Sequence, residues 1–250
     1  MSSWSNICSV KMGIKRVKLE IKETIITIIS EEKFIPVAEK EILYQRQLLE
    51  NYINCDPTFK LTLNPYIVPY NAPEIIKRMT EESAKAGVGP MACVAGAIAE
   101  YTLKAMIRAG AEHVIVDNGG DIAMYINRPV TIGIYAGEKS LNNIGFKFSP
   151  RKSIIGICTS SATIGHSLSL GKADAAIVIS SNVVLADAVA TALCNSISQK
   201  DKKLIETSIN SLMINEIEGM MVFIDDVIGM GGNLPEIVNV KFNYDLITRG

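Results

Sequence analysis

The chain changes period at Gly110, and that change limits the folds open to it. Met91 to Ala109 is rich in alanine and reads as a buried helix, with Gly110 just past its end in the favoured place for a C-terminal cap. Directly beyond, two apolar strands, His113–Asp117 and Ile122–Ile126, flank Asn118-Gly119-Gly120-Asp121. Asn-Gly between two apolar strands is the strongest short-range hairpin signal. A buried helix that hands the chain straight onto a hairpin calls for helices packed on antiparallel strands.

The rest of the chain supports that grouping. Val17–Lys22 alternates strictly and Thr24–Ile29 is β-branched, so the two read as a hairpin. Lys33–Ile53 is an amphipathic helix, and Pro73 opens another over Glu74–Lys85. Further strands are expected at Pro129–Tyr135, Ser153–Cys158, Ala175–Ile179, Glu218–Ile224 and Ile237–Phe242. Helices are expected at Asn182–Ile197 and near Lys202–Leu212. Strands and helices come in groups rather than in alternation, which favours α+β over a parallel sheet. Leu61–Ala72 is the one candidate linker, and it is short and apolar.

Composition narrows the function classes. Of 250 residues, 48% are hydrophobic and 20% charged, as in a folded globular chain. Twenty-five Lys and Arg against 26 Asp and Glu leave a formal charge of -1, with no electrostatic footprint for nucleic acid or an anionic membrane. No apolar run reaches the length of a membrane span, and Met1–Lys11 has no signal-type apolar core, so a soluble cytoplasmic protein is expected. The cysteines, Cys8, Cys55, Cys93, Cys158 and Cys194, are odd in number and form no C-x-x-C pair. They are expected to be small buried hydrophobes in a reducing compartment.

Three segments carry candidate chemistry. In Asp117-Asn118-Gly119-Gly120-Asp121, two glycines allow close approach of a ligand to the backbone, and flanking carboxylates accept hydrogen bonds from it. The plain alternative is a hairpin turn solvated by its Asp residues. In Leu185–Leu193, Asp187 and Thr191 are spaced i, i+4 on one face of an otherwise apolar helix. A buried carboxylate there needs a partner, and a carboxylate and a hydroxyl one turn apart suit a hard cation such as Mg²⁺. The alternative is that Asp187 caps the first turn while Thr191 bonds within its own helix. In Cys158–Ser167 the hydroxyls of Thr159 and Ser160, with His166 in a glycine-flanked turn, can meet a phosphate. A nucleophile pair at His166 lacks a third orienting residue. Two stretches read as glycine-rich loops, Gly87-x-Gly89 and Gly229-Met230-Gly231-Gly232, have neither dinucleotide-binding nor P-loop spacing and context.

The ordered set resembles the ApbE-like superfamily of FAD:protein FMN transferases. It runs Gly96-Ala97-Ile98-Ala99, Asn118-Gly119-Gly120-Asp121, Thr159-Ser160-Ser161 and Asp187-x-x-x-Thr191. The closer resemblance is to the UPF0280 branch, through Gly89-Pro90-Met91-Ala92, Gly165-His166-Ser167 and Ala186-Asp187-Ala188. It covers about residues 87–198. The resemblance implies a duplicated α+β fold in one domain, its two halves meeting near residues 140–150, with a ligand groove between them. It implies Asp187 and Thr191 as Mg²⁺ ligands beside the pyrophosphate of FAD, with Asn118, Gly119, Gly120 and Asp121 on the flavin side. Thr159 and Ser160 match a further ligand loop, and His166 is expected as a ligand or phosphate contact. The implied chemistry is Mg²⁺-dependent release of AMP as FMN passes to a threonine hydroxyl of an acceptor protein, or related pyrophosphate chemistry. The expected partners are then a small phosphorylated ligand such as FAD or FMN and a protein acceptor, with a homo-oligomer left open.

The sequence departs from the transferase pattern in two places. Glu100-Tyr101 stands where the transferases carry Lys-Gly, and Gly165–Gly171 lacks their Asp-Pro. These departures keep open a non-catalytic ligand-binding protein, or an interaction subunit that retains the scaffold.

Overall fold

The computed structural model describes residues 13–22, 24–135, 143–162 and 171–241. The chain opens with strands β1 (Ile14–Ile21) and β2 (Thr24–Glu31). Helices α1 (Ile35–Cys55), α2 (Pro57–Leu61), α3 (Glu74–Lys85) and α4 (Val94–Arg108) follow, the last entered through a 3-10 turn at Pro90–Cys93. Strands β3 (Val114–Asn118), β4 (Asp121–Ile126), β5 (Val130–Ile134), β6 (Ile144–Phe148), β7 (Arg151–Ser160) and β8 (Ala175–Ser180) come next. Helices α5 (Val183–Ser196) and α6 (Lys202–Leu212) precede strands β9 (Ile217–Ile224), β10 (Val227–Gly232) and β11 (Glu236–Asn239).

Eight strands form one sheet in the order β1-β2-β3-β4-β7-β8-β9-β10, and a small sheet has the order β11-β6-β5. Every strand pairing among the described residues is antiparallel. This is the expected α+β architecture of helices on antiparallel strands. The large sheet is covered on both faces. Helix side chains such as Ile76, Leu103, Val184 and Leu193 pack on Ile28, Val116 and Val178. On the other face Met124, Ile155, Ile177 and Phe223 pack with Phe146, Phe148 and Ile134 of the small sheet. Double coverage explains why β8 is buried at all six positions instead of alternating. Edge strand β1 keeps its Lys, Arg and Glu residues outward, which discourages edge pairing.

Most elements fall where the sequence places them, α3 and α6 to the residue. Two strands do not. β6 was not expected, and β10 coincides with the Gly229–Gly232 stretch taken for a loop. A Cβ on Gly229 would come 2.2 Å from Ile205 Cγ2, and one on Gly231 would come 2.4 Å from Ile209 Cγ2. The glycines make room for α6 to lie on the strand, so side chains from the helix fill the face that β10 leaves bare. Among the described residues no single helix is long and apolar enough to cross a membrane; α3 and Pro90–Arg108 pass by length and composition only as a pair bent by 100°.

Candidate active site

The candidate residues gather where the N-terminus of α4 meets α5 and the β3–β4 turn. Small residues allow the approach. Gly96, Ala97 and Ala99 are buried on α4, and a Cβ on Gly96 would lie 2.8 Å from Asp187 Cβ and 2.9 Å from the Val183 carbonyl. Asp187 Oδ2 accepts the Gly96 backbone N–H at 2.8 Å. The carboxylate therefore caps the neighbouring helix, not its own, where a negative charge is favoured by the helix dipole. One turn along, Thr191 Oγ1 donates to the Ala92 carbonyl at 3.3 Å, again across to the entrance of α4 rather than within its own helix.

The Asn118–Asp121 turn borders the same place. Gly119 and Gly120 have φ of +66° and +104°, as a two-residue hairpin turn demands. Both glycines are thus required by the turn itself. Nothing lies within 4 Å of where a Gly120 Cβ would stand, and Gly119 is exposed, so their backbone is open to approach. Asn118 turns inward and ties the strand end to α4, its Nδ2 donating to the Ala95 carbonyl at 3.0 Å. Asp121 Oδ1 accepts the Thr159 backbone N–H at 3.3 Å. Thr159 thus enters through its amide, while the Ser160 hydroxyl is buried with no hydrogen-bond partner among the described residues. His166 lies outside the described residues.

Asp121 and Asp187 are 8% and 7% exposed, and neither forms an ion pair with Lys or Arg among the described residues. Burial raises the Asp187 carboxyl to about 7, opposed by the Gly96 N–H. Burial also lifts Asp121 well above the carboxylate range, and the charge of Asp187 adds to it. Two buried carboxylates that repel each other either keep a proton or share a cation. No group of three or more His, Cys, Asp or Glu side chains is poised for a metal among the described residues. The oxygen donors among the described residues are two carboxylates, the Thr191 hydroxyl and the Ala92 carbonyl, while the neighbouring Cys93 and Cys158 thiols are held neutral by burial and by the carboxylate charge. That set fits a hard cation that keeps water or phosphate in its remaining positions, and it does not fit zinc.

Several contributors escaped the sequence reading. Cys158 Sγ donates to the Val183 carbonyl at 3.5 Å, and its thiol is pushed well up by burial and by the charges of Asp121 and Asp187. Cys93 is likewise raised by burial and by Asp187. Both are inert packing groups, as expected; Cys55 by contrast is exposed, and Cys8 is outside the described residues. Glu100, the departure from Lys-Gly, lies 2% exposed at its side chain. Its Oε2 accepts the Val183 and Val184 backbone N–H groups at 2.9 and 3.4 Å, capping α5 four residues before Asp187. Its Oε1 accepts from Lys104 at 2.5 Å and Arg78 at 3.4 Å. The only early signal was an acidic residue inside an apolar Ala/Gly helix.

Known proteins share this arrangement of elements. A family model described as "AbpE bacteria" matches residues 8–216. A UPF0280 protein of Methanocella arvoryzae is 47% identical over 237 residues, covering 94% of this chain and 96% of its own. One from Archaeoglobus fulgidus is 42% identical over 241 residues, covering 95% and 100%. Among solved structures, a variant of the flavin transferase ApbE from Vibrio cholerae superposes with TM-score 0.55 at 12% identity, over 88% of this chain and 97% of that one. The ApbE protein of Thermotoga maritima gives TM-score 0.55 at 10% identity, over 95% and 100%. At such identities the structural likeness speaks for the fold, and the sequence matches speak for the family. The chain belongs to the UPF0280 branch of the ApbE-like family.

Proposed function

We propose that this protein binds a flavin or another phosphorylated ligand together with Mg²⁺ at the junction of α4, α5 and the β3–β4 turn. The reaction class we assign is FMN transfer from FAD to a protein acceptor, or the related cleavage of a pyrophosphate. The observation that carries this reading is the pair of buried carboxylates, Asp121 and Asp187, with no basic side chain among the described residues in an ion pair with either. Asp187, Thr191 and the Ala92 carbonyl would hold the cation, with Asp121 facing the same charge. When bound, Mg²⁺ supplies Lewis-acid neutralisation of charge on a phosphate oxygen. The residues of the chain orient the ligand. The Gly96 amide fixes Asp187, the Thr159 amide fixes Asp121, and the Gly119–Gly120 backbone leaves room for a flat ring. Ser160 Oγ and His166 are further ligand contacts in this reading. We also read the chain as one domain of two α+β halves meeting near residues 140–150. The unbroken sheet from β1 to β10 and the homologues that match over nearly the whole chain support the single domain.

A second reading, a ligand-binding protein without turnover, is favoured by Glu100. Where the transferases carry Lys-Gly, this side chain is committed to capping α5. Calorimetric titration of FAD, FMN and ATP with and without Mg²⁺ tests the first reading, for the wild type and Asp187→Asn. Affinity that rises with Mg²⁺ in the wild type only is expected. Binding of FAD that ignores Mg²⁺, with no AMP released, would favour the second reading.

A further inference from the structure

From Leu61, the last residue of α2, to Ala72, just before α3, the chain runs without one Asp, Glu, Lys or Arg, in a protein where these make up 20% of residues. An uncharged apolar segment is ordinarily buried. Here Leu61 is 74% exposed, Leu63 58%, Ile67 92% and Tyr70 92%. Scattered exposed hydrophobes are normal, but four within one short segment make a patch.

The segment is held in place. Pro65, Pro69 and Pro73 restrict its backbone. The Tyr66 hydroxyl donates to Asp56 Oδ2 at 2.9 Å, and its ring meets Phe59 edge-on with centroids 6.1 Å apart. The Ala72 N–H closes a turn on the Pro69 carbonyl at 3.0 Å. At the other end the Thr62 carbonyl lies where a Gly89 Cβ would come within 2.1 Å, so the arm is seated on the turn that leads into α4. The entropy of ordering it has been spent within the monomer, and the apolar strip is already shaped for a partner.

We propose that this arm is a homodimer interface, two arms meeting across a two-fold axis. A two-fold contact sets the same surface against itself, so any charge near the axis meets its own kind. A strip without charge meets itself without repulsion and offers nothing to an acidic or basic partner. Tyr70 alone, an aromatic side chain, offers roughly 200 Å², and with the aliphatic Leu61, Leu63 and Ile67 the strip places on the order of 500 Å² of surface in water. With the intervening Asn and Pro residues the strip approaches the roughly 800 Å² per partner of a stable complex. Tyr44, 54% exposed, extends it along the α1 row Tyr44, Leu48, Tyr52, whose last ring packs on Phe59 at 5.1 Å. Prolines in the arm leave gaps in its N–H donors, so the contact is made by side chains rather than by added strands.

Sedimentation equilibrium of the full chain at roughly 50 µM, well above a micromolar Kd, should give twice the 27.2 kDa chain mass. Ile67→Glu combined with Tyr70→Glu should return the single-chain mass with an unchanged far-UV circular dichroism spectrum, since neither side chain has packing within the monomer to lose. Ile67→Val combined with Tyr70→Phe should keep the dimer. A wild-type chain that stays monomeric at that concentration overturns the proposal, and so does a dimer that survives both glutamates. Mass is read without any ligand, so failure here leaves the metal reading untouched.

Discussion

The Gly96 backbone N–H and the Asp187 carboxylate are joined at 2.8 Å across two helices, at an approach that leaves no room for a Cβ on Gly96. One contact thereby sets both the packing of α4 on α5 and the orientation of the central acid of the site. A lesion on either side should disturb both.

Gly96→Ala is the direct test. Its methyl would collide with the Val183 carbonyl as well as Asp187 Cβ, and backbone yields less readily than a flexible side chain. Overpacking of this kind costs about 1–3 kcal/mol. A loss in that range is expected in urea unfolding, together with a weaker Mg²⁺ effect on ligand affinity. A variant as stable as the wild type would mean that α4 and α5 are not in this contact.

The acid pair predicts a pH dependence. Asp187 is raised from the ordinary 3.8 to about 7, so between those values the folded chain binds its proton more tightly than the unfolded chain. Stability contributed by this group therefore falls as pH rises from about 4 to about 7. Asp187→Asn should flatten that fall in thermal melts. Mg²⁺ should raise the wild-type melting temperature at about pH 8 and do little at about pH 5, where the proton competes for the carboxylate. A melting temperature indifferent to Mg²⁺ at the higher pH would count against the cation site.

Glu100 should matter for stability more than a charged residue usually does. It is buried, caps α5 and receives Arg78 and Lys104. Lys104 and Arg78 are 41% and 31% exposed, so the main loss is of the acceptor for two buried α5 amides, which costs about 1–3 kcal/mol. Glu100→Ala is expected to lose that much in denaturant titration. Glu100→Gln should lose less, because its side-chain oxygen can still accept from an α5 amide. Equal losses would assign the effect to charge alone.

Thiol reactivity should separate the cysteines. Cys55 is exposed, while Cys93, Cys158 and Cys194 are buried, and burial drives the Cys93 and Cys158 thiols well above their ordinary value. A thiol-reactive dye should label Cys55 quickly in the native protein. The three buried residues should react only as denaturant unfolds it. Labelling of Cys158 in the native state, read by peptide mass, would show the acid pair to be open to solvent.

Much of this was legible in local sequence, because local rules govern it. The helix breaks at Gly110, the Asn118-Gly119-Gly120-Asp121 turn follows from backbone conformation, and Asp187 and Thr191 share a face by helical period alone. What the side chains bond to was a matter of contacts distant along the chain. Asp187 and Thr191 reach residues 91 and 99 positions away, and Glu100 caps a helix 83 positions on. Periodicity cannot report such partners, since it knows faces and not neighbours. For the same reason β10 read as a glycine loop: its missing side chains are supplied by Ile205 and Ile209 of a helix that only the tertiary fold lays on it. The sequence determined that a lone carboxylate would sit in an apolar helix and need a partner. Packing of α4 on α5 decided that the partner is a helix N-terminus, with a second buried carboxylate close enough to feel its charge.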